Sequence, residues 1–194
     1  MKTNKSIIYI VDDNTYNLQI LSKKLKSEFN CKIRLYSNAY DCKKALEREA
    51  PDIVLSDYNL CNGSKKMNGD WLLSTVKKHH PNTPVVLYSS INNINLATYL
   101  MRNGAEDFVQ ADGKFFEKII KAVKNQFAIL KTKKQSKRTK LFILLMVIIL
   151  PIVYFLLNYA DYEWPFYFSI SFLAFSGIVV FLFGTRMKYH LYGK

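Results

Sequence analysis

Several chemistries lack the residues they need in this sequence. Its seven glycines form neither a G-x-G-x-x-G run nor a G-x-x-x-x-G-K loop. A nucleotide or dinucleotide fold built on a glycine-rich phosphate cradle is therefore disfavoured. Three cysteines, Cys31, Cys42 and Cys61, have no metal-ligand spacing and are odd in number. Free thiols in a reducing compartment are their simplest reading, with packing as their ordinary role. No apolar signal region opens the chain, so its first ~130 residues are expected in the cytoplasm. No helix-turn-helix or cyclase motif stands in the C-terminal third, which argues against a DNA-binding output. Acids are scarce as well: 15 Asp and Glu face 28 Lys and Arg, for a formal net charge of +13.

What is present is unevenly spread. Lys131 to Lys140 carries six of the basic residues and no acid. Leu141 to Phe183 then has no Lys or Arg, and its only acids are Asp161 and Glu163. Leu141–Leu157 is a run of 17 residues without a charge, and Phe166–Phe183 is a second of 18. At ~1.5 Å per helical residue each covers about 26 Å, and Tyr159 and Trp164 extend them toward a ~30 Å bilayer core. The expectation is a transmembrane hairpin over 141–185, with helices at about 141–159 and 164–184. A basic juxtamembrane linker (131–140) precedes it and a tail (186–194) follows.

Lysines and arginines flank this hairpin on both sides, including Arg186, Lys188 and Lys194, while the loop 158–165 has none. That asymmetry places both termini in the cytoplasm and makes the protein a multi-pass protein of the cytoplasmic membrane. Tyr159, Tyr162, Trp164 and Tyr167 suit an aromatic belt, and Pro151 falls mid-span. Neither span holds a charge, so no ion pathway is indicated. The linker lysines are explained by anionic membrane lipid, and nucleic acid is not expected as a partner.

Residues 5–130 read differently. Strand-like runs at 7–11, 32–36, 53–56, 84–88 and 107–109 alternate with helix-like stretches at about 15–29, 39–50, 69–79, 93–103 and 114–130. This alternation implies an α/β domain, 1–130, whose doubly wound five-stranded parallel sheet has the order 2-1-3-4-5. Three of its strands run into polar groups: Asp12-Asp13, Asp57, and Ser89-Ser90. In that order strands one and three are neighbours at the switch point, which brings Asp12, Asp13 and Asp57 into one crevice. Crowded carboxylates repel unless a cation neutralises them, and Mg²⁺ suits oxygen ligands while leaving room for phosphate. A carboxylate beside it can act as nucleophile and form an aspartyl-phosphate, with the Ser89 hydroxyl placed to meet a phosphoryl oxygen. The other reading of such acids is as caps of βα turns.

Val11-Asp12-Asp13-Asn14, Leu55-Ser56-Asp57-Tyr58-Asn59-Leu60, Met67-Asn68-Gly69, Pro84 to Ser90 and Gly104-Ala105-Glu106-Asp107-Phe108 follow one another in order. On these pieces the chain resembles the receiver domain of bacterial response regulators. The resemblance implies a phospho-acceptor signalling domain and not an enzyme in the ordinary sense. Asp57 would be the acceptor, Asp13 and Asp12 would hold Mg²⁺ with it, and the Asn59 backbone carbonyl would complete the protein ligands. Ser89 and Phe108 would be the switch pair.

Two departures stand out. Ala111 occupies the position of the family's lysine, which pairs with the acceptor carboxylate. The segment Cys61–Lys66, with Lys65 and Lys66, lengthens the loop after Asp57; Lys114 is a further nearby cation. The expected function is a membrane-anchored receiver that takes its phosphoryl group from a histidine kinase or phosphotransfer protein. It would signal through a protein partner, and a homodimer is compatible with this. The alternative is a pseudo-receiver adapter whose output does not depend on phosphate.

Overall fold

A computed structural model describes residues 5–60 and 67–159, with side chains through residue 156. The insertion 61–66 and the expected second apolar helix at 164–184 lie outside the described residues. Among the described residues five strands alternate with five helices: β1 (Ser6–Val11), α1 (Thr15–Glu28), β2 (Cys31–Tyr36), α2 (Ala39–Leu46), β3 (Ile53–Asp57), α3 (Gly69–His79), β4 (Val85–Ser89), α4 (Ile94–Arg102), β5 (Asp107–Gln110) and α5 (Phe115–Tyr159). The strands form one parallel sheet in the order β2-β1-β3-β4-β5, as the alternation predicts.

Side chains alternate between faces with the two-residue period of a strand. Ile8, Ile10, Ile53, Leu55, Val86 and Tyr88 pack on one face with α1 and the start of α5. Tyr9, Val11, Val54, Val85 and Leu87 pack on the other with α2, α3 and α4. Because both faces are covered, these strands are apolar throughout and carry no polar alternation. Asparagine starts four helices: the side chains of Asn14, Asn38, Asn68 and Asn93 accept from amides of the first turns of α1, α2, α3 and α4. An N-cap of this kind typically contributes about 1 kcal/mol. The buried thiols Cys31 and Cys42 are free, and burial pushes Cys42 up to about 12, in keeping with packing roles.

Two boundaries differ from expectation. The helix expected over 39–50 stops at Leu46, because Pro51 restricts the residue before it and the chain tightens at Arg48 and Glu49 onto the Ala45 carbonyl. The helix expected to end near 130, ahead of a separate linker, runs unbroken from Phe115 to Tyr159. Neither glycine nor proline interrupts it before Pro151, and Lys, Arg and Gln are good helix formers, so 131–140 is helical. Compactness nevertheless divides the chain after Leu130. Among the described residues one helix, Phe115–Leu156, is long and apolar enough to cross a membrane.

Candidate functional site: an acidic crevice at the strand ends

Strand register decides what meets what. Val11 pairs with Ser56, so the next residue, Asp12, falls level with Asp57, and Asp57 pairs with Tyr88. Potential ligand atoms of Asp12, Asp13 and Asp57 all lie within 4.8 Å of one another. Asp12 is fully buried and heavily held. Its Oδ1 accepts from the Asn14 amide (2.8 Å), and its Oδ2 accepts from Asn17 Nδ2 (3.1 Å) and the Tyr88 hydroxyl (2.8 Å). Asp57 is half-buried, and its Oδ1 accepts from the Asn59 amide at 3.2 Å. Burial lifts the Asp57 carboxyl from 3.8 to about 6; the Asn59 amide opposes this, and the charges of Asp12 and Asp13 add to it. A group crowded this way is poised to gain from a cation.

The Ser89 hydroxyl is buried one strand away. Its Oγ accepts from Asn59 Nδ2 and from the Ile91 amide, each at 3.1 Å. Asn59 was expected to serve through its carbonyl. In the structure its amide donates to Asp57 and its side chain donates to Ser89, so one residue links these two side chains. Phe108 is half-buried on β5 and packs against the α2–α4 face of the core. The Ala111 amide donates to the Ser89 carbonyl (2.8 Å), which fixes residue 111 beside the site. Lys114 is exposed at the entry to α5, where its amide donates to Asp112. Lys65 and Lys66 lie outside the described residues.

Two residues escape a sequence reading. Tyr88 looks like one more apolar strand residue, although its pairing with Asp57 places it on the acidic face. Gly69 opens α3 so close to β3 that an added Cβ would sit 2.7 Å from Tyr58 Cα and 2.8 Å from the Asp57 carbonyl oxygen. Its own amide donates to the Tyr58 carbonyl.

The donor set fits a hard divalent cation: three clustered carboxylates, one with its pKa raised by burial and its like-charged neighbours. Sequence comparison agrees with this geometry. The response regulator receiver domain profile matches residues 8–124. The chain belongs to the response regulator receiver family.

NtrC of Proteus hauseri, a DNA-binding transcriptional regulator, is 29% identical to this receiver over 105 residues, which is 54% of this chain and 21% of that protein. LuxO of Vibrio campbellii is 27% identical over 97 residues, 50% of this chain and 20% of that one. The chain thus spans about a fifth of the length of these relatives. NtrX from Brucella abortus superposes with a TM-score of 0.62 at 28% identity, covering 70% of this chain and 30% of that structure. Receiver membership implies a histidine kinase or phosphotransfer protein as partner, and receivers typically use Mg²⁺ at such an acidic pocket.

Proposed function

We propose that this protein is a membrane-anchored receiver that accepts a phosphoryl group on Asp57 and signals through protein contacts at the cytoplasmic membrane face. The observation that carries the reading is the clustering of three carboxylates within 4.8 Å at the ends of β1 and β3. Asp12, Asp13 and Asp57 would hold Mg²⁺ together with the Asn59 carbonyl. Bound there, the cation supplies charge stabilisation and a template for phosphate oxygens.

The chemistry asks little more of the protein than position. An ionised Asp57 oxygen attacks the donor phosphorus, and the bond from phosphorus to the donor breaks as the aspartyl-phosphate bond forms. Ser89 Oγ, on the neighbouring strand, would meet the transferred group, and Asn59 Nδ2 already donates to it. Phe108, on the adjacent strand, is the aromatic that follows Ser89 in the switch.

Membrane anchoring draws its support from the C-terminal part of the chain. Leu141, Phe142, Leu144, Phe155 and Leu156 are each more than half exposed, a surface that a lipid surround favours. A window of Phe115–Leu156 reaches a mean hydropathy of 2.5, and a second apolar run follows in the sequence at 166–183. The hairpin with both termini in the cytoplasm is the topology that the lysine and arginine distribution favours.

Ala111 favours one other reading, a phosphate-independent adapter. A single experiment separates them: phosphorylation of the full chain in detergent by a small-molecule phospho-donor with Mg²⁺. The receiver reading expects a phosphoryl group on Asp57, acquired faster in the Ala111→Lys variant because a fixed cation is added. If neither protein takes phosphate at saturating Mg²⁺, the adapter reading stands instead.

A further inference from the structure

The strand register sets one polar side chain of β4 against the acidic crevice. Tyr88 pairs with Asp57 and shares a core face with Val109, the face to which the same alternation assigns residue 111. A lysine at 111 and the tyrosine at 88 would approach the carboxylates from the same side, the tyrosine from one strand nearer. Its hydroxyl passes beyond β3 and donates to Asp12 Oδ2 at 2.8 Å. Both partners are buried, Tyr88 at 3% exposure and Asp12 at 0%. The ring is fixed as well, tilted against Phe115 with centroids 5.1 Å apart.

We infer that Tyr88 is a positioning residue of the phosphoryl-transfer site: its hydroxyl orients the buried Asp12 carboxylate for Mg²⁺. The inference rests on the receiver reading above. A phenol is a neutral donor, so the contact orients Asp12 without adding charge to the crevice. Asp12 then takes its orientation from three neutral donors, the Asn14 amide, Asn17 Nδ2 and the Tyr88 hydroxyl. Partners that hold a metal-ligating carboxylate typically account for ten- to a hundredfold in metal affinity. Asn17 Nδ2 shares the same oxygen, so the low end of that range applies.

The test is a Mg²⁺ titration of the full chain in detergent, by calorimetry, on the natural protein and on Tyr88→Phe. That variant keeps the ring and its contact with Phe115. We expect the Mg²⁺ half-saturation concentration to rise about tenfold. Small-donor phosphorylation should need correspondingly more Mg²⁺ while its rate at saturating Mg²⁺ stays within about twofold. Val86→Ala, on the same strand and face but without a polar contact, should lose stability with no change in the Mg²⁺ half-point. A Tyr88→Phe protein that folds and binds Mg²⁺ as the natural one does overturns the inference. So does an equal shift in Val86→Ala, which would mark the effect as general loosening.

Natural protein that binds no Mg²⁺ overturns the receiver reading, and this inference with it. Should Tyr88→Phe fail to fold, tyrosine ring-carbon NMR of the natural protein decides. One buried tyrosine signal, distinct from the one lost in Tyr9→Phe, must move with the Mg²⁺ half-point, and its constancy overturns the inference.

Discussion

Asp57 makes the strongest quantitative prediction, because its environment works against the charge that its chemistry requires. Its carboxyl stands at about 6 in the folded chain, against 3.8 as a free side chain. The sign follows from linkage. A raised folded-state value means that the contribution of Asp57 to stability is full below about pH 4 and is lost as pH rises to about 6. Above that the loss is constant, on the order of 3 kcal/mol at ~1.4 kcal/mol per pH unit. Asp57→Asn keeps an oxygen to accept the Asn59 amide and removes the charge. Without Mg²⁺ the variant should therefore be the more stable protein at pH 8 by up to that amount, roughly 10 °C in Tm for a domain of this size. The advantage should fade between pH 6 and pH 4. It should also shrink on adding Mg²⁺, which neutralises the cluster in the natural protein. The assay is thermal unfolding across pH 4–8, with and without Mg²⁺. Equal stabilities at pH 8 without the cation would show that the crevice does not crowd Asp57 as its burial and neighbours imply.

Four further outcomes are expected. Gly69→Ala should destabilise the receiver by ~1–3 kcal/mol, since the new methyl meets the β3 backbone and not a flexible side chain; a neutral denaturant midpoint would contradict this. Asp13→Asn should abolish Mg²⁺ binding, which in the natural protein should be weak, on the order of millimolar, because much of the ion's shell stays water; calorimetry reads both. A cysteine placed at Asp161 should label from outside the cell while tags at either terminus stay protected, and external labelling of the C-terminus would sink the hairpin. Protein containing the 131–140 segment should bind anionic vesicles with affinity that falls steeply with salt, at about 1 kcal/mol per basic residue near the surface.

The sequence by itself determined most of the architecture and which carboxylates share the crevice. Apolar runs such as Val85–Tyr88, short and bounded by breakers, read as buried strands, and their alternation with amphipathic stretches implied a parallel sheet. Once the order 2-1-3-4-5 is accepted, Asp12, Asp13 and Asp57 must converge, since residues that close a parallel strand all project from one edge. The absence of a lysine at 111 was legible in the same way, as a gap in a fixed frame.

Helix ends were less legible. The helix propensity of 131–140 is a weak local signal that a solvated linker shares, and the unbroken run of α5 shows which it is. What only the tertiary structure decided are the contacts between residues far apart in the chain. Tyr88 meets Asp12 across 76 positions, and Asn59 reaches Ser89 across 30. Both depend on register to within one residue, since a slip of one would turn each side chain to the opposite face. The raised value of Asp57 belongs to the same class. It is a property of burial and of neighbouring charges, which no residue carries along in its own chemistry.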